Sequence, residues 1–196
     1  MLVVAPPALF ESADLAAREL LAHEVPRLQS LFDANPAFSM RVNARPFAPD
    51  EAQEEFDSYP PPGLGYTRRY FLGLFDRTGE LAGLAVVFAD FCAPAVWHVS
   101  FFLLAESLHG RGVGARAWRA LEAWMVGAGA RWVRLGVVVG NAPAERFWER
   151  AGFVDVHLRR GMDTGGRSND IRILARSPAG EPVEAYLALV PRDRPA

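Results

Sequence analysis

Three glycines on alternate positions, Gly110, Gly112 and Gly114, stand between an apolar run and a helical repeat. The run, residues 95–104, is long enough for a buried strand and rich in Val and Phe. Downstream, Ala117, Leu121, Trp124, Met125 and Ala128 recur at helical spacing, which predicts a helix from near Gly112. A glycine loop between strand and helix lets the backbone approach a ligand closely. Its N–H groups converge at the positive end of the helix dipole, so the unit is a phosphate cradle. Gly110-x-Gly112-x-x-Ala115 fits a relaxed dinucleotide fingerprint. That reading requires a carboxylate at the end of the next strand to hold a ribose, and residues 132–139 are followed by Gly140-Asn141 instead.

The segment His109-Gly110-Arg111-Gly112-Val113-Gly114 is similar to the pyrophosphate loop of the GNAT acyltransferases, whose usual pattern is Arg or Gln, two residues, Gly, one residue, then Gly or Ala. One helix and one strand later come Asn141, a short helix carrying Phe147-Trp148, and Gly152-Phe153, which together resemble the second GNAT motif. Either motif alone is weak; in this order and separation they identify a GNAT-like N-acyltransferase. The resemblance is best over residues 69–158.

The resemblance implies an α/β (α+β) fold, a mixed, mainly antiparallel sheet of about seven strands flanked by helices, in one domain over 1–196. It implies acetyl-CoA as cosubstrate, an amine acceptor and no metal. The strands 95–104 and 132–139 should splay at their C-terminal ends and admit the pantetheine arm. There the Leu104 or Ala105 N–H would polarise the thioester carbonyl, while Gly110, Arg111, Gly112, Val113, Gly114 and Ala115 take the pyrophosphate. His109 replaces the usual Arg or Gln. Arg111 can supply charge. Asn141 suits the pantetheine, although a helix-capping role explains it equally well.

His98 lies six residues before Leu104, where histone-acetylating relatives carry a catalytic Glu, and its reference pKa of about 6.5 suits a general base. Strand alternation places His98, Ser100, Phe102 and Leu104 on one face unless a bulge intervenes. Ser100 is a second candidate, holding a water. Trp148 stands where many relatives have Tyr, and an indole N–H is a hydrogen-bond donor, not an acid. This departure keeps a second function open beside N-acetyl transfer, a CoA-binding regulatory or interaction domain. Trp118, Trp124 and Phe147 read as core, and Cys92 has no partner motif.

Composition narrows the class. At 196 residues and 51% hydrophobic, the chain can bury a sizeable core. Net charge −2 gives no general pull towards nucleic acid or anionic membranes. No apolar run approaches the ~20 residues of a membrane span, and the first residues lack a basic leader. The single cysteine fits a reducing cytoplasm. Lys is absent, so any anion site away from the backbone must use Arg or His.

Upstream of the motifs, residues 15–21 suit a helix by propensity, whereas the resemblance makes them the first strand. Val25, Leu28, Leu31 and Phe32 share a helical face that ends at Asn35-Pro36, and Pro49 opens a helix through about Ser58. Strands are expected at 70–75 and 81–91, joined by a turn at Asp76–Gly79, then at 95–104, 132–139 and 153–160. Asn141 should cap a helix over 142–150. After a turn cluster at 163–168, two closing strands are expected, 171–175 and 183–190. The exposed-strand character of the latter predicts a homodimer.

Overall fold

The computed structural model describes residues 6–164 and 166–195. Residues 1–5, on which the expectation of no basic leader falls, and Gly165 of the turn cluster lie outside the described residues.

Eight strands form one open sheet in the order β1-β2-β3-β4-β5-β6-β8-β7. They are β1 Phe10–Glu11, β2 Leu15–Glu19, β3 Arg68–Asp76, β4 Leu81–Ala89, β5 Val96–Leu104, β6 Trp132–Val138, β7 Val154–Asp163 and β8 Ser168–Arg176. Every neighbouring pair is antiparallel except β5 and β6. The helices are α1 Val25–Asp33, α2 Pro36–Val42, α3 Glu51–Asp57, α4 Val113–Gly127, α5 Ala142–Arg150 and α6 Val183–Leu189. Among the described residues no helix is long and apolar enough to cross a membrane.

The sheet is buried on both faces, which explains why β4 reads LAGLAVVFA with no polar residue. Its Leu84, Val86 and Phe88 pack with Leu28, Phe32 and Ala52 of α1 and α3. Its Ala85, Val87 and Ala89 pack with Trp118, Leu121 and Met125 of α4, and with Trp148 of α5. At the far end α6 covers β5, β6 and β8 through Tyr186, against Trp132 and Ile173.

Residues 15–19 are a strand, not the helix that propensity suggests. Leu15 and Ala17 are buried in alternation, and the segment pairs residue by residue with β3. Five residues gain more from that ladder than from an isolated helical turn, whose nucleation is costly. The expected closing strand 183–190 is instead α6. Tyr186 and Val190, four apart, are both buried, and Glu184, Ala185, Leu187, Ala188 and Leu189 are good helix formers between Pro182 and Pro191. The edge-strand argument for a homodimer goes with it. Among the described residues the sheet has eight strands, in line with the expected number of about seven, for the short β1 is gained and 183–190 is lost; β8 is the last in sequence, and α2 is an additional helix starting at the proline where α1 was expected to stop.

Beneath α6 lies a buried ion network. Asp193, wholly buried, accepts from Arg134 of β6 at 2.7 Å, from Arg159 of β7 at 2.8 Å and from the Tyr186 hydroxyl at 2.6 Å. Burial alone would raise the Asp193 carboxyl, but the hydrogen bonds and charge of Arg134, with those of Tyr186 and Arg159, outweigh it and hold the carboxyl far below the usual range. A depressed carboxylate stabilises the fold above its unfolded pKa, and that stability is lost as pH falls towards the folded value. Asp193→Asn should therefore cost about 3–5 kcal/mol at pH 7, since it strands buried guanidinium groups. The deficit against wild type, measured by urea unfolding, should shrink below about pH 4, where the unfolded aspartate takes up its proton.

Candidate active site

The sheet opens between β5 and β6. Their parallel pairing runs from Val96↔Trp132 to Val99↔Leu135 and then stops. At the same level β5 bulges against β4, for Val87 pairs with Val99 but Val86 pairs with Phe101, leaving Ser100 as the extra residue. Beyond the bulge, Phe102↔Ala85 and Leu104↔Gly83 are paired, and the Ala105 N–H donates to the Ala82 carbonyl at 2.9 Å. By the alternation of an antiparallel ladder, the Phe102 and Leu104 backbone groups then point away from β4 into the opening. The bound Ala105 N–H is not available to a ligand, whereas the Leu104 N–H is.

Two cavities meet in this opening, sharing Phe38, Phe102, Asn141, Ala144 and Trp148. The larger, about 840 Å³, runs between the start of α4 and the face of α5. It holds the glycine loop. Gly110 and Gly112 have φ of +71° and +73°, in the left-handed region that favours glycine. Gly114 lies within α4, where a Cβ would meet Phe147 and Leu104 at ordinary contact distance. The first N–H groups of α4, at Val113, Gly114 and Ala115, have no intrahelical acceptor, which makes this end an anion site. Arg41, Arg119, Arg146, Arg150 and Arg176 line the same cavity and outnumber its carboxylates, Glu106 and Glu122, giving it a net cationic rim. Unpaired backbone donors, two positive-φ glycines and an arginine rim fit a pyrophosphate-bearing cofactor such as acetyl-CoA.

The smaller cavity, about 450 Å³, lies on the α1–α3 side of the opening. Ser100, Phe101 and Gly136 line its floor, while Glu51, Glu54 and Glu55 of α3 form one wall. Its charge is thus opposite in sign to that of the larger cavity.

The loop is held from behind. The Glu106 N–H donates to Oδ1 of the buried Asn35, which ties the end of β5 to the α1–α2 junction. Arg116 pairs with Asp14 at 2.6 Å and donates to the Arg111 carbonyl at 3.2 Å. Neither Asn35 nor Arg116 stands out in the sequence, since each acts through contacts with residues far along the chain.

Other expected site residues are placed as follows. The exposed Arg111 side chain lies beside the loop. His109 lines the larger cavity, and its Nε2 is 2.9 Å from the Leu104 carbonyl, so the ring also pins the end of β5. The Asn141 side chain makes no capping hydrogen bond to α5, and the residue lines both cavities, so the capping role expected for it is not what its side chain does. Trp148 is buried with its ring against Trp118, Phe102 and Phe153, and lines both cavities. Trp118 and Trp124 pack in or against the core, although Trp118 and the half-buried Phe147 also border the larger cavity. Cys92 touches Arg192 through its sulfur, outside both cavities.

His98 departs most from expectation. The bulge at Ser100 shifts the alternation, so Trp97, Val99, Phe102 and Leu104 share the α4 face, while His98 faces α6. It stacks on Phe91, its Nδ1 lies 3.1 Å from the Arg134 carbonyl and 3.2 Å from an Arg134 guanidinium nitrogen, and it lines neither cavity. Burial first, then the Arg134 charge, drives the imidazole well below its usual pKa. His98 is thus a neutral member of the Arg134–Asp193 network.

Residues 30–153 match the model of the Acetyltransferase (GNAT) family. No curated protein matches the sequence. Among solved structures, a GCN5-related N-acetyltransferase from Brucella melitensis is similar, with a TM-score of 0.69 at 21% identity over 93% of this chain and 86% of that one. An acetyl transferase from Salmonella typhimurium that modifies the N-terminal serine of ribosomal protein L7/L12 has a TM-score of 0.66 at 19% identity, over 85% and 96% of the two chains. A spermidine N-acetyltransferase from Vibrio cholerae, in complex with CoA and spermine, has a TM-score of 0.61 at 19% identity, over 84% and 96%.

The loop geometry yields a direct test. Acetyl-CoA at a hundredfold above its Kd should add about 2.7 kcal/mol of stability, read as a rise in Tm, and NAD should add none. Gly112→Asp should remove the acetyl-CoA shift while leaving the fold intact. Aspartate tolerates the left-handed region better than most residues, and the added Cβ would meet only the Arg116 guanidinium, which must shift slightly, but a carboxylate repels phosphate.

Proposed function

The chain belongs to the GNAT acetyltransferase family, and from that premise we propose that it moves the acetyl group of acetyl-CoA directly to a primary amine of a small molecule or peptide. The observation that carries this reading is the division of charge across one opening. Arginines and unpaired N–H groups line the cavity on the α4 side, and carboxylates line the one on the α3 side. A polyanionic donor and a cationic acceptor would each meet complementary charge, with their reactive ends brought together between β5 and β6.

Acetyl-CoA, when bound, supplies the thioester. The N–H groups from Gly110 to Ala115 hold its pyrophosphate, and Arg111 adds charge from solvent. The unpaired Leu104 N–H meets the thioester carbonyl and stabilises charge developing on that oxygen, an effect worth about 3 kcal/mol where such donors have been removed. His109 keeps this amide in place by holding the carbonyl of the same residue. The Asn141 amide faces the opening and serves the pantetheine. Trp148 closes the opening from the α5 side and excludes water without supplying a proton.

Mixing the protein with acetyl-CoA and a panel of primary amines should release free CoA thiol, with acetylated amine in equal amount. Binding of acetyl-CoA with no thiol release from any amine would instead favour a CoA-binding regulatory domain. His98→Gln should leave turnover close to wild type in this assay, because His98 lines neither cavity.

A further inference from the structure

The smaller cavity contains more than amine transfer by itself requires. Among its described lining residues the titratable groups are Glu51, Glu54 and Glu55. Glu51 is already engaged, accepting from Arg45 at 2.7 Å and from the Ala48 N–H at 2.9 Å. Glu54 is exposed. Glu55 is half-buried, and no hydrogen bond to its carboxylate is found among the described residues. Arg69 of β3, the cation whose charge acts on Glu55, spends its terminal nitrogens on the Glu55 and Phe56 backbone carbonyls, at 2.8 and 2.9 Å. Across the cavity from α3 stands an aromatic wall, in which Phe47 stacks on Phe32 at 4.2 Å and Phe38 meets Phe101 at 5.1 Å between ring centroids.

Resting on the acetyl-transfer reading, we propose that the Glu55 carboxylate takes the proton of the incoming ammonium, and that the acceptor carries its amine on an apolar arm packed against Phe38, Phe47 and Phe101, with the buried Phe32 behind them. The ammonium gives one proton to Glu55. The neutral nitrogen then forms a bond to the acetyl carbon as the carbon–sulfur bond breaks. The second proton goes from nitrogen to the departing thiolate, and Glu55 returns its proton to solvent. This supplies the base that His98 cannot be, and the amine itself supplies the proton that Trp148 cannot give. A carboxylate next to the acceptor amine, as in a free amino acid, would be repelled by Glu54 and Glu55.

The surroundings of Glu55 suit the task. Burial pushes its carboxyl up to about 7 from an ordinary 4.5, with Arg69 opposing the shift and the charge of Glu51 adding to it. Arg45 partly neutralises Glu51 from beyond it. A base poised near neutral pH combines a useful ionised fraction with real proton affinity.

The test uses phenethylamine and ethanolamine as probe amines, with kcat/KM followed from pH 5 to 10. Wild type should show a bend near pH 7 and prefer phenethylamine by about tenfold or more. Glu55→Gln should lower kcat/KM by ~10²-fold at pH 7.5, and its rate should climb without that bend towards the amine's own pKa. Glu54→Gln should keep the bend. Folding is read separately. A folded pKa above the unfolded one means that the ionised side chain costs stability as pH rises through about 7, so Glu55→Gln should melt higher than wild type at pH 8 and gain nothing at pH 4. A Gln variant that keeps the bend, or melts lower at pH 8, or an ethanolamine rate equal to that of phenethylamine, overturns the proposal and leaves acetyl transfer standing. Acetyl-CoA binding with no turnover of either amine by wild type overturns both.

Discussion

The parting of β5 from β6 after Val99 and Leu135 is the constraint on which the rest of this site depends. Two parallel strands that stayed paired would leave no backbone free for a ligand. Here the Ser100 bulge bends β5 away, and the freed N–H groups at Phe102 and Leu104, with the Phe102 C=O, become a short internal sheet edge. Such an edge costs stability unless something pairs with it, and an extended polar ligand is well suited to do so. The long helix α4 starts directly beyond the edge, so its unsatisfied N–H groups share the same cleft.

The bulge also separates two kinds of chemistry on one strand. Before it, His98 faces α6 and joins Arg134 and Asp193 in a buried network that secures the C-terminal turn. After it, Phe102 and Leu104 face α4 and the opening. A single extra residue thus decides which polar group serves stability and which backbone serves a ligand. The electrostatics follow the same division, for the Asp193 carboxylate is kept ionised by paired cations, whereas the Glu55 carboxyl is held near neutral pH by burial without a close partner. In the first the carboxylate accepts from three side chains, whereas no hydrogen bond to the second is found among the described residues.

Much of this was legible in residue order because its causes are local. Glycines at 110 and 112 are required by the left-handed backbone they adopt, and the helical period of α4 follows directly from them. The β3–β4–β5 meander is announced by the turn at Asp76, whose side chain takes the Thr78 and Glu80 amides. The strand at 15–19 is ambiguous in the sequence and the helix at 183–189 reads there as a strand, for one physical reason. Both are short, and for such segments the partner they find outweighs intrinsic propensity.

The sequence by itself determined the glycine-loop side of the cleft, since such a loop is made from consecutive backbone groups whose geometry a few neighbouring residues impose. It equally determined that Trp148 can donate a hydrogen bond but cannot act as an acid. Only the tertiary structure decided the side lined by α3. Which way His98 points depends on one bulge defined by pairing with β4, and whether Glu55 is solvated or poised depends on burial among α1, α3 and β3. Side-chain direction past an irregular strand and the dielectric around a carboxylate are both set by residues distant in the chain. No local pattern of residue types encodes them.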